Sequence, residues 1–234
     1  MSRARVPDFG LMSHGIYLVG GGSALQEAAV WEAMLDGVSQ LLYWPVALSG
    51  ELLLNASTWL PNSLGDRPGL EVTTWLDLSD HHRESLDAFD LIFVGGGNTF
   101  DLLQRIRAAG ITSGLRAFLL SGGTYYGGSA GAVVAGLDVG VASGLDPDRH
   151  HDPDHTGLGL VPADVLPHYA EPRIELAKDW SRQHPDRPLV CIPEASGVWY
   201  DSDEAIVCGP EPVDMYIDGE NVARCGPGQK LAAR

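Results

Sequence analysis

Three glycine clusters constrain this chain more than any other feature, because each follows a short apolar run and precedes a stretch with helical spacing. They are Gly20-Gly21-Gly22, Gly95-Gly96-Gly97 and Gly127-Gly128-Ser129-Ala130-Gly131. Glycine accepts turns and close backbone approaches that a Cβ forbids. The runs before the clusters, 16–19, 91–94 and 124–128, read as buried strands. The stretches after them, 24–35 with Ser23 as N-cap, 99–109 and 130–137, read as helices.

The same reading gives strands at 40–48, 70–76, 161–166 and 189–192, and helices at 115–120 and 173–184. Residues 143–156, rich in Asp, His and Pro, read as loop. Four short strands follow, at 198–200, 205–208, 213–217 and 222–224, with Asp218-Gly219 a hairpin signal between the last two. Alternating strands and helices predict an α/β fold: a three-layer sandwich with a mostly parallel central sheet, finished by a C-terminal antiparallel β meander. No repeat or linker interrupts the pattern, so residues 1–234 read as one domain.

Hydrophobic residues make up 44% of the 234, enough for a full core, and the formal net charge is -16. That charge argues against nucleic acid or an anionic membrane as partner. It reads first as an acidic solvated surface; a field that attracts cationic substrates is the second reading. Residues 1–14 carry no apolar core of a secretory signal, and no run approaches the ~20 apolar residues of a membrane span. Cys191, Cys208 and Cys225 are an odd number without metal-ligand spacing. A cytoplasmic protein with reduced thiols is the expectation.

Gly127-x-Ser129-x-Gly131 matches the pattern of a nucleophile elbow. In such a turn the serine sits at a helix N-terminus, and the following amide, here of Ala130, faces a developing oxyanion. The 95–99 turn would share the same sheet edge, with Gly97 the candidate second oxyanion donor and Asn98 beside it a substrate contact. It lacks the Lys-Ser/Thr of a phosphate loop and the spacing of a dinucleotide fingerprint. The 20–23 turn reads as a pocket wall or a plain connection.

Of eight histidines, His168 stands out as the base, just beyond the strand at 161–166. His81 and His82 lie in a polar segment, and His184 closes a helix. His150, His151 and His155 share the 146–155 loop, where a solvated role outweighs metal binding. Glu194, directly after the buried run 189–193, is the candidate acid, with Glu171, Asp146 and Asp164 as rivals. Such a triad needs no metal or organic cofactor.

The segments 95–103, 126–132, 167–169 and 192–194 together resemble the peptidase E family of alpha-aspartyl dipeptidases, with cyanophycinase a longer relative. The resemblance covers roughly residues 88–200. It implies a class I glutamine amidotransferase-like fold and a Ser129–His168–Glu194 triad, with oxyanion amides from Gly97 and Ala130. It also implies a small-peptide substrate, with Arg173 the counterpart of the arginine that holds an N-terminal aspartate. A cyanophycinase-like or other exopeptidase specificity, and a catalytically silent binding protein, are the alternatives; a homodimer is compatible with all. Two segments depart from the family pattern: a shorter stretch after His168, and the His/Asp-rich 146–155 loop.

Overall fold

The computed structural model of the protein describes residues 14–79, 81, 83–201 and 204–232. The expectation about a secretory segment lies outside these up to residue 13, as does His82. The chain opens with β1 (Gly15–Val19), α1 (Ala28–Met34), β2 (Gln40–Trp44), α2 (Gly50–Leu64) and β3 (Glu71–Thr74). β4 (Leu91–Val94), α3 (Thr99–Ala109), α4 (Thr112–Leu120), β5 (Thr124–Gly128) and α5 (Ala130–Ala135) follow. The remainder is β6 (Asp164–Leu166), α6 (Ile174–Gln183), β7 (Leu189–Cys191), β8 (Gly197–Tyr200), β9 (Ala205–Cys208), β10 (Val213–Ile217) and β11 (Glu220–Cys225).

The central sheet has seven strands in the order β3-β2-β4-β5-β1-β8-β9. The first five run parallel, and β8 and β9 extend the β1 edge antiparallel. A second, four-stranded sheet in the order β11-β10-β7-β6 takes up the other strands. The C-terminal antiparallel strands therefore divide between two sheets, and 161–166 and 189–192 leave the central one. Gly209, at φ 102° against the Ala195 carbonyl, and Pro210 break the chain after β9 and redirect it. The Asp218-Gly219 turn has φ of 49° and 78°, as a two-residue primed hairpin turn demands.

Alternation along the parallel strands assigns side chains to the two faces. Tyr17, Val19, Leu41, Tyr43, Leu91 and Phe93 join one apolar cluster, completed by Trp31 of α1 and Leu60 of α2. Leu18, Leu42, Trp44, Ile92 and Val94 join the other, against α3, α4, α5 and the second sheet. This makes the three layers. A difference from the sequence reading is α2, which that reading left without an element. Leu52 and Leu54 are exposed, and Pro61 sits inside the helix, so no clean helical stripe marks it.

Because β4, β5 and β1 are neighbours and parallel, the three glycine clusters that follow them meet at one edge of the sheet. Ligands of open α/β sheets bind at such an edge.

Candidate active site

Ser129 occupies φ 51°, ψ -112°, a strained conformation for a residue with a Cβ. The surroundings enforce it. Its amide donates to the Val19 carbonyl at the end of β1 (3.1 Å), and its carbonyl accepts from Ala132 and Val133 of α5. The two flanking glycines are required by space. A Cβ at Gly127 would lie 2.5 Å from the Gly131 carbonyl oxygen, and one at Gly131 2.4 Å from that of Val94.

His168 is brought in from the second sheet and held by backbone. Its amide donates to the Gly20 carbonyl (2.9 Å), the next amide, of Tyr169, donates to Ile192, and His168 itself sits at φ 51°. Its Nε2 lies 2.8 Å from Ser129 Oγ, and its Nδ1 lies 3.1 Å from Glu194 Oε1. With Nδ1 donating to the carboxylate, Nε2 is free to accept the serine proton. Glu194 is half-exposed, and its other oxygen accepts from Gln26 Nε2 at 3.3 Å. The hydrogen bond with His168 leads the causes that hold the Glu194 carboxyl below its ordinary range. It therefore stays ionised from mildly acidic pH upward.

Among the described residues the His168 ring bonds Ser129 and Glu194, and no hydrogen bond joins it to the rival acids. Asp146 accepts from the amide and hydroxyl of Thr99, and Asp164 is buried and accepts from Trp180 Nε1. Glu171 lies in a 3₁₀ turn before α6. The side-chain oxygen of Asn98 caps α3 by accepting from Asp101 N, and its Nδ2 donates to the Pro147 carbonyl. Arg173 donates to the Pro167 carbonyl at 2.7 Å, just before His168.

The glycine turns close around the serine. A Cβ on Gly21 would lie 2.6 Å from Ser129 Cβ and 2.8 Å from His168 Nε2, and one on Gly96 would lie 3.1 Å from Ser129 Cβ. Gly97 is pressed against Ala47. Among the described residues the amides of Gly96, Gly97 and Ala130 make no backbone hydrogen bond, whereas those of Gly95 and Asn98 bond Trp44 and Ala47.

The His/Asp-rich loop is pinned to α3. Arg149 and His150 both reach Asp101, and Arg107 holds Asp152, Asp154 and Thr156. Among the described residues no group of three or more metal-ligating side chains converges.

Sequence reasoning missed the cavity beside Ser129. About 350 Å³ in volume, it lies between the sheet and helices α1 and α2. Its wall is aromatic: Phe93 stacks on Tyr126 at 3.9 Å, and Trp31, Tyr43 and Trp59 stand edge-on or tilted around them. Glu27 lies at this wall, 1% exposed. Its Oε2 accepts from Trp31 Nε1 (2.9 Å) and from the Tyr126 hydroxyl, and Oε1 is closed off from solvent. The signal available in the sequence was a carboxylate one helical turn before Trp31, inside an apolar stretch.

Burial pushes the Glu27 carboxyl up to about 7, against the hydrogen bonds from Tyr126 and Trp31 and from the Gly22 and Gly21 amides. The titratable groups facing it are Tyr126 from β5 and Cys208 from β9, both themselves raised by burial. A carboxyl raised on folding stabilises the fold below its unfolded value near 4.5, and that contribution is lost as pH rises through about 7. The thermal midpoint of Glu27→Gln should therefore gain on the parent's as pH rises from about 4.5 to 7 and level off above. Melts across that range test this, and a constant difference contradicts it.

Fold and turn together define an α/β protein of the nucleophile-elbow class, with the elbow serine next to an imidazole. Within that class the chain belongs to peptidase family S51, whose profile matches residues 35–208. It is 32% identical over 142 residues to "Peptidase E" of Shewanella sp. (strain ANA-3), covering 55% of this chain and 59% of that protein. To "Peptidase E" of Actinobacillus pleuropneumoniae serotype 5b (strain L20) it is 29% identical over 133 residues, 53% of this chain and 56% of that protein. The chain thus spans little more than half the length of the curated relatives it matches. The crystal structure of a peptidase from an acI-B1 Actinobacterium has the same fold, with a TM-score of 0.67 at 18% identity, covering 95% of this chain and 98% of that one. Among the described residues no helix is long and apolar enough to cross a membrane.

Proposed function

We propose that the protein is a serine exopeptidase acting on small peptides, with Ser129, His168 and Glu194 as its triad. The observation that carries this reading is the continuous relay from Glu194 Oε1 through the imidazole to Ser129 Oγ, at 3.1 and 2.8 Å. His168 Nε2 takes the Oγ proton as Oγ bonds to the scissile carbonyl carbon. The carbonyl oxygen gains the charge, and the amides of Ala130 and Gly97 are the proposed donors that hold it. The C–N bond then breaks, His168 passes its proton to the departing amine, and the serine ester remains. Water resolves that ester, giving one proton to His168, which returns it to Oγ.

Beyond His168 and Glu194 lies a second, open groove of about 710 Å³, bordered by Tyr169 and Pro193. It offers the amine a way out on the imidazole's side. A fluorophosphonate probe, followed by peptide mapping, tests the assignment: Ser129 should carry the label, and an unlabelled Ser129 in folded protein refutes it. Glu194→Gln should lower kcat/KM about 10- to 100-fold, less than loss of the serine, because the carboxylate orients the base and is itself half-solvated. Steady-state rates at parental level would remove Glu194 from the relay.

An N-terminal aspartate preference is the second reading, and Arg173 supports it by lying close enough to contribute to the lowering of the Glu194 carboxyl. Its guanidinium is anchored on Pro167, however, and no arginine, lysine or histidine lines the cavity beside Ser129.

A further inference from the structure

We propose that the cavity beside Ser129 is the specificity pocket for the residue that donates the acyl group, and that it selects a large apolar side chain, phenylalanine or leucine, over aspartate, lysine or alanine. This rests on the serine-peptidase reading and adds the substrate class to it.

Position fixes which residue of the peptide the cavity serves. Ser129, Gly128 and Gly96 form part of its lining, so the space opens directly beside the nucleophile. Among the described residues His168 and Glu194 border the second groove and not this cavity. The departing amine takes its proton from His168 Nε2 and so leaves on the imidazole's side. The cavity then lies on the other side of the scissile carbonyl, beside the acyl residue.

The wall sets the chemistry. Trp31 stands edge-on to Trp59, Phe93 and Tyr126, an arrangement that a further ring or a branched aliphatic chain extends by the same contacts. An apolar cavity of ~150 Å³ holds a benzene molecule, so about 350 Å³ admits a benzyl or isobutyl group. Trp59 and Leu52 line the cavity yet are 47% and 68% exposed. A bound apolar side chain would take part of that surface out of water, which is the driving force for its binding.

Charged side chains find no partner there. Among the described residues no arginine, lysine or histidine lines the space to meet a carboxylate. The carboxyl in the lining, Glu27, is already engaged: Oε2 accepts from Trp31 and Tyr126, and the Gly21 and Gly22 amides bond the same carboxyl. Its Oε1 is closed off from solvent, so it offers nothing to an arriving cation. Aspartate or lysine would lose its water without compensation, and alanine would leave the box unfilled.

The test compares matched dipeptides, Phe-Leu, Leu-Leu, Ala-Leu, Asp-Leu and Lys-Leu, by kcat/KM. The better of Phe-Leu and Leu-Leu should exceed Ala-Leu by about 10- to 100-fold, the factor that burial of such a side chain supplies. It should exceed Asp-Leu and Lys-Leu by at least as much. Ala-Leu, Asp-Leu or Lys-Leu turned over as well as the better apolar substrate would overturn the proposal. Trp59→Ala removes part of the outer wall and should bring the Phe-to-Ala ratio toward one, and an unchanged ratio in the folded variant would also overturn it.

If that variant does not fold, the unaltered protein still decides. Benzyl alcohol should protect Ser129 from fluorophosphonate at far lower concentration than ethanol, and equal protection would overturn the proposal. If Ser129 takes no label and no dipeptide is cleaved, the peptidase reading fails on its own. The fluorine resonance of 4-fluorobenzyl alcohol then reports on the cavity: it should broaden when the protein is added, and an unbroadened line sinks the apolar pocket.

Discussion

Ser129→Ala is expected to lose on the order of 10⁴- to 10⁶-fold in kcat on any peptide the parent cleaves, with its thermal midpoint close to the parent's. The size follows from the proposed chemistry: without Oγ no acyl-enzyme can form, and only direct attack by water on the bound peptide is left. The small effect on stability follows from geometry. Ser129 Oγ makes one hydrogen bond, to His168, while the backbone contacts that fix the elbow run through its amide and carbonyl. Alanine keeps these.

Ser129→Gly sharpens the same point. At φ 51° and ψ -112° the serine is held in a conformation that costs roughly 1–3 kcal/mol in a residue with a Cβ. Glycine relieves that strain, so this variant should melt above both the parent and the alanine form while being as inactive. Kinetics and thermal melts on the three proteins check both claims together. Persistent turnover in a folded Ser129→Ala would end the serine mechanism, and a Ser129→Gly that melts no higher would contradict the strain.

Much of this arrangement was legible in the sequence for a local reason. Glycine clusters after apolar runs are dictated by close approach of backbone atoms, so they announce turns without knowledge of the rest of the fold. β4, α3, β5, β9 and β10 begin and end where the pattern says. His168 and Glu194 could be singled out because strand ends deliver side chains to one edge, and the structure brings them within 2.8 Å of Ser129 Oγ and 3.1 Å of His168 Nδ1 respectively. What was hidden depends on packing between distant segments. α2 presents Leu52 and Leu54 to solvent and carries Pro61, so its sequence shows no stripe, yet with Trp59 it forms the outer wall of the cavity. Ser23 and Gln26 make the reciprocal bonds of a capping box, and the Glu27 amide donates to the Ser23 carbonyl, but this first turn is separate from α1, which begins at Ala28. Glu27, just before the helix, reaches Trp31 and Tyr126 in the interior.

Gly20→Ala carries the second large expectation, a loss of fold stability and of activity from a single methyl group. A Cβ at Gly20 would lie 1.9 Å from the Pro193 carbonyl oxygen and 2.8 Å from that of Ile192. Both obstacles are backbone, so no rotamer change relieves them, and β1 must part from the 192–196 segment. That contact joins the central sheet to the second one at the site itself: the Gly20 amide donates to Ser196, and the Gly20 carbonyl accepts from His168. Overpacking of this kind costs about 3 kcal/mol, or roughly 6–12 °C in a chain of this size. The displacement also moves His168 and Glu194, the proposed base and acid, away from the elbow, so kcat/KM should fall more than in Glu194→Gln, where the backbone stays in place. Gly144→Ala is the control, since a Cβ there meets nothing within 4 Å. It should melt and turn over like the parent, and a Gly20→Ala that does the same would show that the two sheets are not locked together at this point.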